Sequence, residues 1–263
     1  MSIFILIRHA ATDLVGHTLA GRGPGVHLNA EGRRQAERLA DHLAREPIRA
    51  IYSGPLERAR ETARPLGDRL GLRPQVAEEL DEFDFGDWTG RTLDELAPDP
   101  RWHRFNTFRS GVRAPGGELM LEVQSRIVAF MQRLREQSPD QTLALVSHGD
   151  VIRAAVLHSL GAPLDCFLRV EISPASVSAI RIGDDGPQVL SLNHRTSSPT
   201  TGNAGRAVRI GRDNTARSAG IDSDAGERPG PGCRLTVCMR KPPSSTGTDD
   251  QRPQHTSTLK RHP

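Results

Sequence analysis

The sequence predicts a three-layer α/β/α fold with a largely parallel central sheet. Two observations lead to this prediction. Short apolar runs, typical of buried strands, alternate along residues 1–194 with longer segments of helical periodicity. All ten aromatic residues of the 263-residue chain also lie within these 194 residues, so the hydrophobic core is expected there.

The chain begins with an apolar strand, followed by an amphipathic helix. Residues 3–7 are β-prone and almost wholly apolar, as expected of a strand covered on both faces. Asn29 is expected to cap a helix that runs to about Arg45. Four apolar residues at helical spacing would form its buried stripe: Ala36, Leu39, Ala40 and Leu43.

The following segments repeat this order. Residues 49–53, RAIYS, predict a short buried strand, and Pro55 marks the first turn of a helix that extends to about Leu70. A weaker strand is expected at residues 76–80. Glycines and prolines then interrupt residues 81–118, which are predicted to be rich in loops. The remaining elements are expected to be a helix at 119–137, a strand at 143–147, a helix at 150–161 and strands at 177–182 and 188–192.

The last 69 residues differ in composition from the rest of the chain. Residues 195–263 contain no aromatic residue, and 15 of the 69 are glycine or proline. Such a segment cannot bury enough apolar surface to offset the entropy of ordering it. We therefore predict a folded domain at residues 1–194 and a disordered Gly/Pro/Ser/Thr-rich basic tail at residues 195–263.

Charge divides at the same boundary. The tail has 12 basic and 6 acidic residues, whereas residues 1–194 have 23 basic and 26 acidic residues. The positive net charge of the chain therefore comes from the tail and does not describe the ligands of the folded domain. Because the tail lacks dense basic runs and interleaved aromatic residues, neither nucleic acid nor a membrane is expected as a partner.

The cysteine content and the first residues indicate the cellular compartment in which the protein is expected. Three cysteines are too few for a disulfide scaffold. The opening apolar run is five residues long and lacks a basic leader, which argues against a signal peptide or a membrane span. These features favour a cytoplasmic protein, while the oligomeric state stays open.

Polar side chains follow two of the apolar strands. Arg8 and His9 come directly after the first strand, and His148 comes directly after the strand at 143–147. The carboxyl ends of parallel strands share one edge of a sheet, so the two imidazoles are expected to converge there. Arg58, near the start of the second helix, and Glu82, in the loop-rich stretch, are further candidates for this site.

Five segments carry a resemblance to a known family. In chain order they are LIRHAATD, LNAEGRRQAERLADHL, YSGPLERARETA, LDEFDFGDWTG and LVSHGDVIR. They resemble the signature segments of the histidine phosphatase (phosphoglycerate mutase-like) superfamily, over about residues 3–194. Four positions depart from the usual pattern. Ala10 replaces the glycine of R-H-G, and the E-T that often follows reads Ala11-Thr12. Val15 stands where many members carry asparagine, and the frequent W-E-G reads Trp88-Thr89-Gly90.

The resemblance implies a phosphoglycerate mutase-like fold and a phosphomonoester hydrolase that acts on a small phosphorylated metabolite with no cofactor and no metal. It implies that His9 is the nucleophile and that Arg8, Arg58 and His148 bind the phosphoryl group. Neighbouring guanidinium groups would keep the imidazole of His9 neutral, and only the neutral ring is a nucleophile. The same groups offer forked donors to phosphoryl oxygens.

Glu82 matches the proton donor of the family. A carboxylic acid can protonate the leaving oxygen, and the carboxylate left behind can activate the water that attacks phosphohistidine. Its acidic neighbours Asp81 and Asp84 leave this assignment open. Arg22, in the loop before the first helix, is a further phosphate-binding candidate.

Other mechanisms fit the sequence less well. The segment DEFDFGD lacks the spacing of a calcium loop, which weighs against a metal-dependent phosphatase. Ser147, His148 and Asp150 are near neighbours in the chain, whereas the residues of a hydrolytic triad meet only in space. Residues 1–194 contain no lysine, which excludes a Walker A loop there.

Within the resemblance, three alternatives to a metabolite phosphatase stay open: a phosphoglycerate mutase-type phosphoryl transfer, a phosphohistidine protein phosphatase and a phosphoprotein-binding module. The compact domain favours access of water, and therefore hydrolysis, over mutase chemistry. Specificity is expected to reside at residues 83–118, whose side chains would line the pocket mouth or pack as an aromatic cap. The residues concerned are Trp88, Trp102, His103, Arg104, Phe105, Phe108 and Arg109.

Overall fold

The computed structural model describes residues 1–196 of the chain. The last strand ends at Arg195, one residue beyond the predicted boundary of the folded domain. The tail predicted for residues 195–263 lies outside the described residues from residue 197 onward.

A six-stranded sheet with the order β3-β2-β4-β1-β5-β6 forms the centre of the domain. The pairs β1–β4, β2–β4 and β2–β3 are parallel, whereas β5 is antiparallel to β1 and β6 to β5. The prediction of a largely parallel sheet is thus confirmed, with two antiparallel strands at one edge. The strands are β1 (Ser2–Arg8), β2 (Ile48–Ser53), β3 (Gln75–Val76), β4 (Thr142–Ser147), β5 (Ser176–Gly183) and β6 (Gly186–Arg195).

Helices cover both faces of this sheet. The α-helices are α1 (Ala30–Leu43), α2 (Glu57–Leu70), α3 (Leu93–Leu96), α4 (Pro100–Thr107), α5 (Met120–Gln137) and α6 (Gly149–Ser159). Three 3-10 turns, at Glu78–Leu80, Gly86–Trp88 and Leu164–Arg169, complete the described elements. Among the helices of residues 1–196, none combines the length and the apolar character needed to cross a bilayer.

Strand β1 contributes to two separate hydrophobic clusters. Phe4 and Leu6 pack with residues of α5 and α6, whereas Ile5 and Ile7 pack with residues of α1 and α2. Successive side chains of a strand point to opposite faces, so a strand between two helical layers must be apolar throughout. This arrangement confirms the three-layer α/β/α prediction.

The start of α1 supports the segment that follows β1. The side chain of Asn29 accepts a hydrogen bond of 2.8 Å from the main-chain N–H of Gly32, as its predicted capping role requires. A Cβ atom at Gly32 would lie 2.0 Å from the carbonyl oxygen of Ala11. Only glycine therefore lets the first turn of α1 press against the chain two residues after His9.

The stretch at 81–118 is more ordered than predicted, because it contains α3 and α4. Trp88 is 1% exposed and Phe105 is fully buried, so both belong to the core. Their rings pack against each other with centroids 5.2 Å apart. Trp102 and Arg109 line the cavity described below, while Phe108 is 46% exposed. Trp88 and Phe105 thus form a packed cap and Trp102 lines the cavity, whereas Phe108 does neither.

Candidate active site

Two histidines meet at the carboxyl edge of the parallel strands. His9 follows β1 and His148 follows β4, and these strands are paired so that Arg8 lies opposite Ser147. The ring centroids of the two histidines are 5.1 Å apart, and the side chains are almost completely buried. The convergence predicted from the two strand ends is confirmed.

The imidazole of His9 is held in one orientation. Its Nδ1 lies 2.8 Å from the carbonyl oxygen of Ala10, and a carbonyl can only accept, so Nδ1–H is the donor. The lone pair then resides on Nε2. Burial, together with the positive charges of Arg8 and Arg58, holds the pKa of His9 well below its ordinary value of 6.5. His9 is therefore a neutral imidazole with a free Nε2 at physiological pH.

Two arginines flank His9, and each is anchored by a main-chain carbonyl. Arg8 donates from Nη1 to Ile172 over 2.6 Å, and Arg58 donates from Nη2 to Gly21 over 2.7 Å. Nε of Arg8 and Nη1 of Arg58 are buried without a hydrogen-bond partner among residues 1–196. Buried charged donors are costly when unpaired, so these guanidinium groups are suited to binding an anion.

His148 adds unpaired ring nitrogens to this centre. Its side chain is fully buried, and within the described part of the chain neither Nδ1 nor Nε2 has a hydrogen-bond partner. Burial and the neighbouring His9 hold the pKa of His148 well below 6.5, so this ring is also neutral. A neutral imidazole still carries one N–H and can donate it to an oxyanion.

Glu82 supplies the carboxyl group of the site. Its Oε2 lies 3.6 Å from Nδ1 of His148, and its Oε1 accepts a hydrogen bond of 2.9 Å from the main-chain N–H of Phe83. Burial and the nearby Asp150 carboxylate raise the pKa of Glu82 to about 7, although Arg58 opposes this shift. A large fraction of Glu82 therefore carries a proton near neutral pH.

Asp81 and Asp84, the acidic neighbours of Glu82, have other hydrogen-bond partners. Burial raises the pKa of Asp81 as well, but its carboxylate faces away, toward Arg22 at 3.1 Å and the main-chain N–H of Glu82 at 2.8 Å. Asp84 accepts from the main-chain N–H of Gly86 over 2.9 Å. Of the three carboxyl groups, Glu82 is the one that lines the cavity.

The cavity has a volume of about 350 Å³. Arg8, His9, Arg58 and Glu82 form its reactive wall, and His148 is buried next to His9. Among the residues that the structure describes, no group of three or more histidine, cysteine, aspartate or glutamate side chains is positioned to hold a metal ion. The arrangement can bind a phosphoryl group, attack it with an imidazole and transfer a proton from a carboxylic acid.

The expected role of Arg22 needs a correction. Its guanidinium does not line the cavity. It pairs with Asp81 at 3.1 Å and with Glu118 at 2.9 Å, and its Nε donates to the main-chain oxygen of Glu82 over 2.8 Å. Two carboxylates and one carbonyl therefore take up the donors of Arg22. The side chain supports the loop that carries Glu82 and does not contact the phosphate position.

Sequence reasoning missed part of the cavity wall. Asn106, Asp150 and Arg153 line it beside Arg109, which was named only for the pocket mouth. The sequence did contain a signal for two of these residues: Asp150 and Arg153 lie in the first turns of the helix that begins directly after His148. Residues at that helix start must face the same sheet edge as the histidine.

The fold and the site define a class of protein: an α/β protein in which two histidines and two arginines meet at the carboxyl edge of parallel strands, an arrangement suited to binding a phosphoryl group. The sequence matches the histidine phosphatase superfamily (branch 1) over residues 4–195. The chain belongs to the histidine phosphatase superfamily, as the sequence resemblance indicated.

Several known proteins are similar to this chain. Phosphoserine phosphatase 1 from Hydrogenobacter thermophilus is 31% identical over 198 residues, which cover 72% of this chain and 90% of the relative. The structure of a mycobacterial glucosyl-3-phosphoglycerate phosphatase superposes with a TM-score of 0.67 at 27% identity, covering 73% of this chain and 98% of the other. The alpha-ribazole phosphatase from Shigella flexneri gives a TM-score of 0.66 at 27% identity, with coverages of 73% and 96%.

Proposed function

We propose that this histidine phosphatase hydrolyses small phosphomonoesters through a phosphohistidine on His9. The observation that carries the proposal is the geometry at His9, whose Nδ1 is committed to the carbonyl of Ala10 and whose Nε2 is therefore free, beside two incompletely paired guanidinium groups. Three relatives support the choice of substrate class. They are named for phosphatase activity on phosphoserine, glucosyl-3-phosphoglycerate and alpha-ribazole phosphate, all small phosphorylated metabolites.

In the first step, the lone pair on Nε2 of His9 attacks phosphorus. An N–P bond forms, and the ester P–O bond breaks as its electron pair moves to the leaving oxygen. Glu82, protonated near neutral pH, gives its proton to that oxygen, so the product leaves as a neutral alcohol. Arg8, Arg58 and the N–H of His148 donate to the phosphoryl oxygens, which carry the negative charge throughout.

In the second step, the carboxylate of Glu82 takes a proton from water as the water oxygen attacks phosphorus. The N–P bond breaks, its electron pair returns to Nε2, and inorganic phosphate is released. Glu82 regains its proton and His9 its neutral ring, so the cycle closes without any external acid or base.

We expect the full-length protein to hydrolyse p-nitrophenyl phosphate at an unchanged rate in the presence of EDTA. The reason is that Arg8, Arg58 and His148 supply the charge stabilisation that a metal ion gives to other phosphatases. Release of p-nitrophenol with and without EDTA measures this directly. Loss of activity in EDTA, followed by recovery when magnesium is added in excess, would contradict the proposed mechanism.

A further inference from the structure

The orientation of the nucleophile depends on one peptide group, the peptide between Ala10 and Ala11, which we call the orienting peptide. Its carbonyl oxygen, on Ala10, accepts a hydrogen bond of 2.8 Å from Nδ1 of His9. Its N–H, on Ala11, donates to Oε1 of Gln35 over 3.0 Å. A trans peptide is planar and its C=O and N–H point in opposite directions. Gln35 and the imidazole of His9 therefore hold the same rigid unit from opposite sides.

Gln35 is the one side chain besides His9 that holds the orienting peptide within residues 1–196. The preceding peptide donates its N–H to Oγ1 of Thr62 over 3.0 Å and accepts from the N–H of Ala175 over 3.2 Å. The following peptide accepts from the N–H of Asn29 over 3.1 Å. These contacts fix the chain on either side and leave the orienting peptide itself to Gln35.

Gln35 acts from a firmly packed helix and from outside the catalytic cavity. It lies in the second turn of α1, whose apolar stripe packs in the same cluster as apolar side chains of β1. Its half-buried side chain lines a separate cavity of about 380 Å³ together with Arg38 and Arg195, and it is not part of the lining around His9. Any effect of Gln35 on the reaction must therefore pass through the orienting peptide.

The orienting peptide determines which ring nitrogen of His9 can attack. Its carbonyl keeps the proton on Nδ1, and the lone pair of the neutral ring then resides on Nε2. Without Gln35 the N–H of Ala11 would lose its partner, and the peptide would turn to pair it elsewhere. The carbonyl would then leave Nδ1 and the proton could move to Nε2. A ring protonated on Nε2 has no lone pair with which to attack phosphorus there.

We propose that Gln35 is a positioning residue for the nucleophile, because it fixes the orienting peptide and thereby keeps Nε2 of His9 unprotonated and directed at the phosphoryl group. The inference rests on the proposed phosphohistidine mechanism and adds to it a residue that contacts neither the substrate nor the reacting atoms. The amide oxygen of Gln35 is an acceptor for the main chain throughout the catalytic cycle.

Two variants of similar size separate the acceptor from the bulk of the side chain. Gln35→Met keeps the length of the side chain and removes the oxygen, whereas Gln35→Glu keeps an oxygen that can accept from Ala11. We expect Gln35→Met to lower kcat/KM for p-nitrophenyl phosphate by about 10- to 100-fold, the scale on which misplacement of a reacting group slows a reaction. Gln35→Glu should remain close to the parent value.

Phosphate affinity distinguishes a positioning role from a general loss of structure. Arg8 and Arg58 are anchored by main-chain carbonyls that do not belong to the orienting peptide. The inhibition constant of inorganic phosphate, a product that competes with the substrate, should therefore not rise in Gln35→Met while kcat/KM falls. A rise as large as the fall in kcat/KM would indicate a deformed phosphate pocket and contradict the positioning role.

The protonation pattern of His9 gives a readout that does not depend on activity. In protein with isotopically labelled histidine nitrogens, proton–nitrogen correlation spectra distinguish a ring nitrogen that carries a proton from one that does not. The spectrum of His9→Ala identifies the signals of this residue. We expect the proton on Nδ1 in the parent protein and in Gln35→Glu, and a substantial population with the proton on Nε2 in Gln35→Met.

Gln124→Met is the matched control. Gln124 is also half-buried and also bonds the main chain, since its Nε2 donates to the carbonyl of Ala154 over 3.0 Å. It lies in α5 outside the cavity lining, so its replacement should leave kcat/KM and the His9 spectrum unchanged. Thermal midpoints are recorded for every variant. If Gln35→Met does not fold, Gln35→Asn, whose shorter side chain cannot reach Ala11, takes its place with the same expected result.

Failure of this inference is distinguishable from failure of the proposed function. A parent-like kcat/KM or an unchanged protonation pattern in Gln35→Met would overturn the role of Gln35 and leave the phosphatase. A loss in Gln35→Glu equal to that in Gln35→Met would do the same. If the parent protein turns over no phosphomonoester, the proposed function fails, and the spectra of His9 still decide whether Gln35 sets its protonation pattern.

Discussion

His9→Ala is expected to reduce the turnover of every phosphomonoester to background, at least about 10⁴-fold below the parent rate. The variant loses the only nitrogen that the mechanism uses to attack phosphorus, and the leaving group cannot compensate for that loss. The two arginines that flank the side chain are anchored by main-chain carbonyls and do not depend on His9 for their position, so the fold should survive.

The matched control for this variant is His158→Ala. His158 is an exposed residue in the last turn of α6 and has no place in the cavity lining. Its replacement should leave the steady-state rates with p-nitrophenyl phosphate and with an alkyl phosphate unchanged. Substantial turnover by a correctly folded His9→Ala protein would show that another group forms the covalent bond or that none is formed.

Glu82→Gln is expected to slow the hydrolysis of alkyl phosphates by roughly 10²- to 10⁴-fold, the usual contribution of general acid catalysis. The amide keeps the size of the side chain but has no proton to give to the leaving oxygen. With p-nitrophenyl phosphate the leaving group needs little protonation, so the first step should suffer much less. Steady-state kinetics with both substrates separate the two effects.

Asp81→Asn and Asp84→Asn are the controls for Glu82→Gln. Both aspartates serve as acceptors for main-chain N–H groups, a role that the side-chain oxygen of asparagine can keep. They should therefore change either rate only slightly. If one of them selectively slowed the alkyl ester while Glu82→Gln slowed neither substrate, the acid would be assigned to the wrong residue.

The dependence of activity on pH tests the acid role of Glu82 independently of mutation. Glu82 acts in the first step as the protonated acid, and its pKa is raised to about 7. Activity on an alkyl phosphate should therefore fall as pH rises above about 7, by about tenfold per unit once Glu82 is mostly ionised. The fall should be absent in Glu82→Gln, and an activity that rises through this range in the parent protein would contradict the acid role.

The central part of the site could be predicted because it depends on strand ends. His9 and His148 follow two apolar strands, and the carboxyl ends of parallel strands share one edge of the sheet. The two short helices α3 and α4 also left signals that were overlooked. Thr92 and Glu95 form a capping box, and Asp99 caps α4 immediately before Pro100.

Other features depend on contacts that no local pattern contains. Arg22 meets Glu118, 96 residues further along the chain, and nothing in the sequence says which of many carboxylates it would find. Arg109 is buried because its guanidinium packs over Phe167, a contact across 58 positions. The strand expected at residues 76–80 is only two residues long, because the chain turns into a 3-10 helix at Glu78.

The central claim is a covalent phosphohistidine on His9, and trapping it tests the claim most directly. The parent protein is mixed with a phosphomonoester labelled on phosphorus, and the reaction is stopped during turnover in either acid or alkali. The account predicts a protein-bound label that survives alkali, is lost in acid and maps to His9 by mass spectrometry. A label that survives acid and is lost in alkali would instead identify an acyl phosphate or a phosphoserine, and would contradict the account.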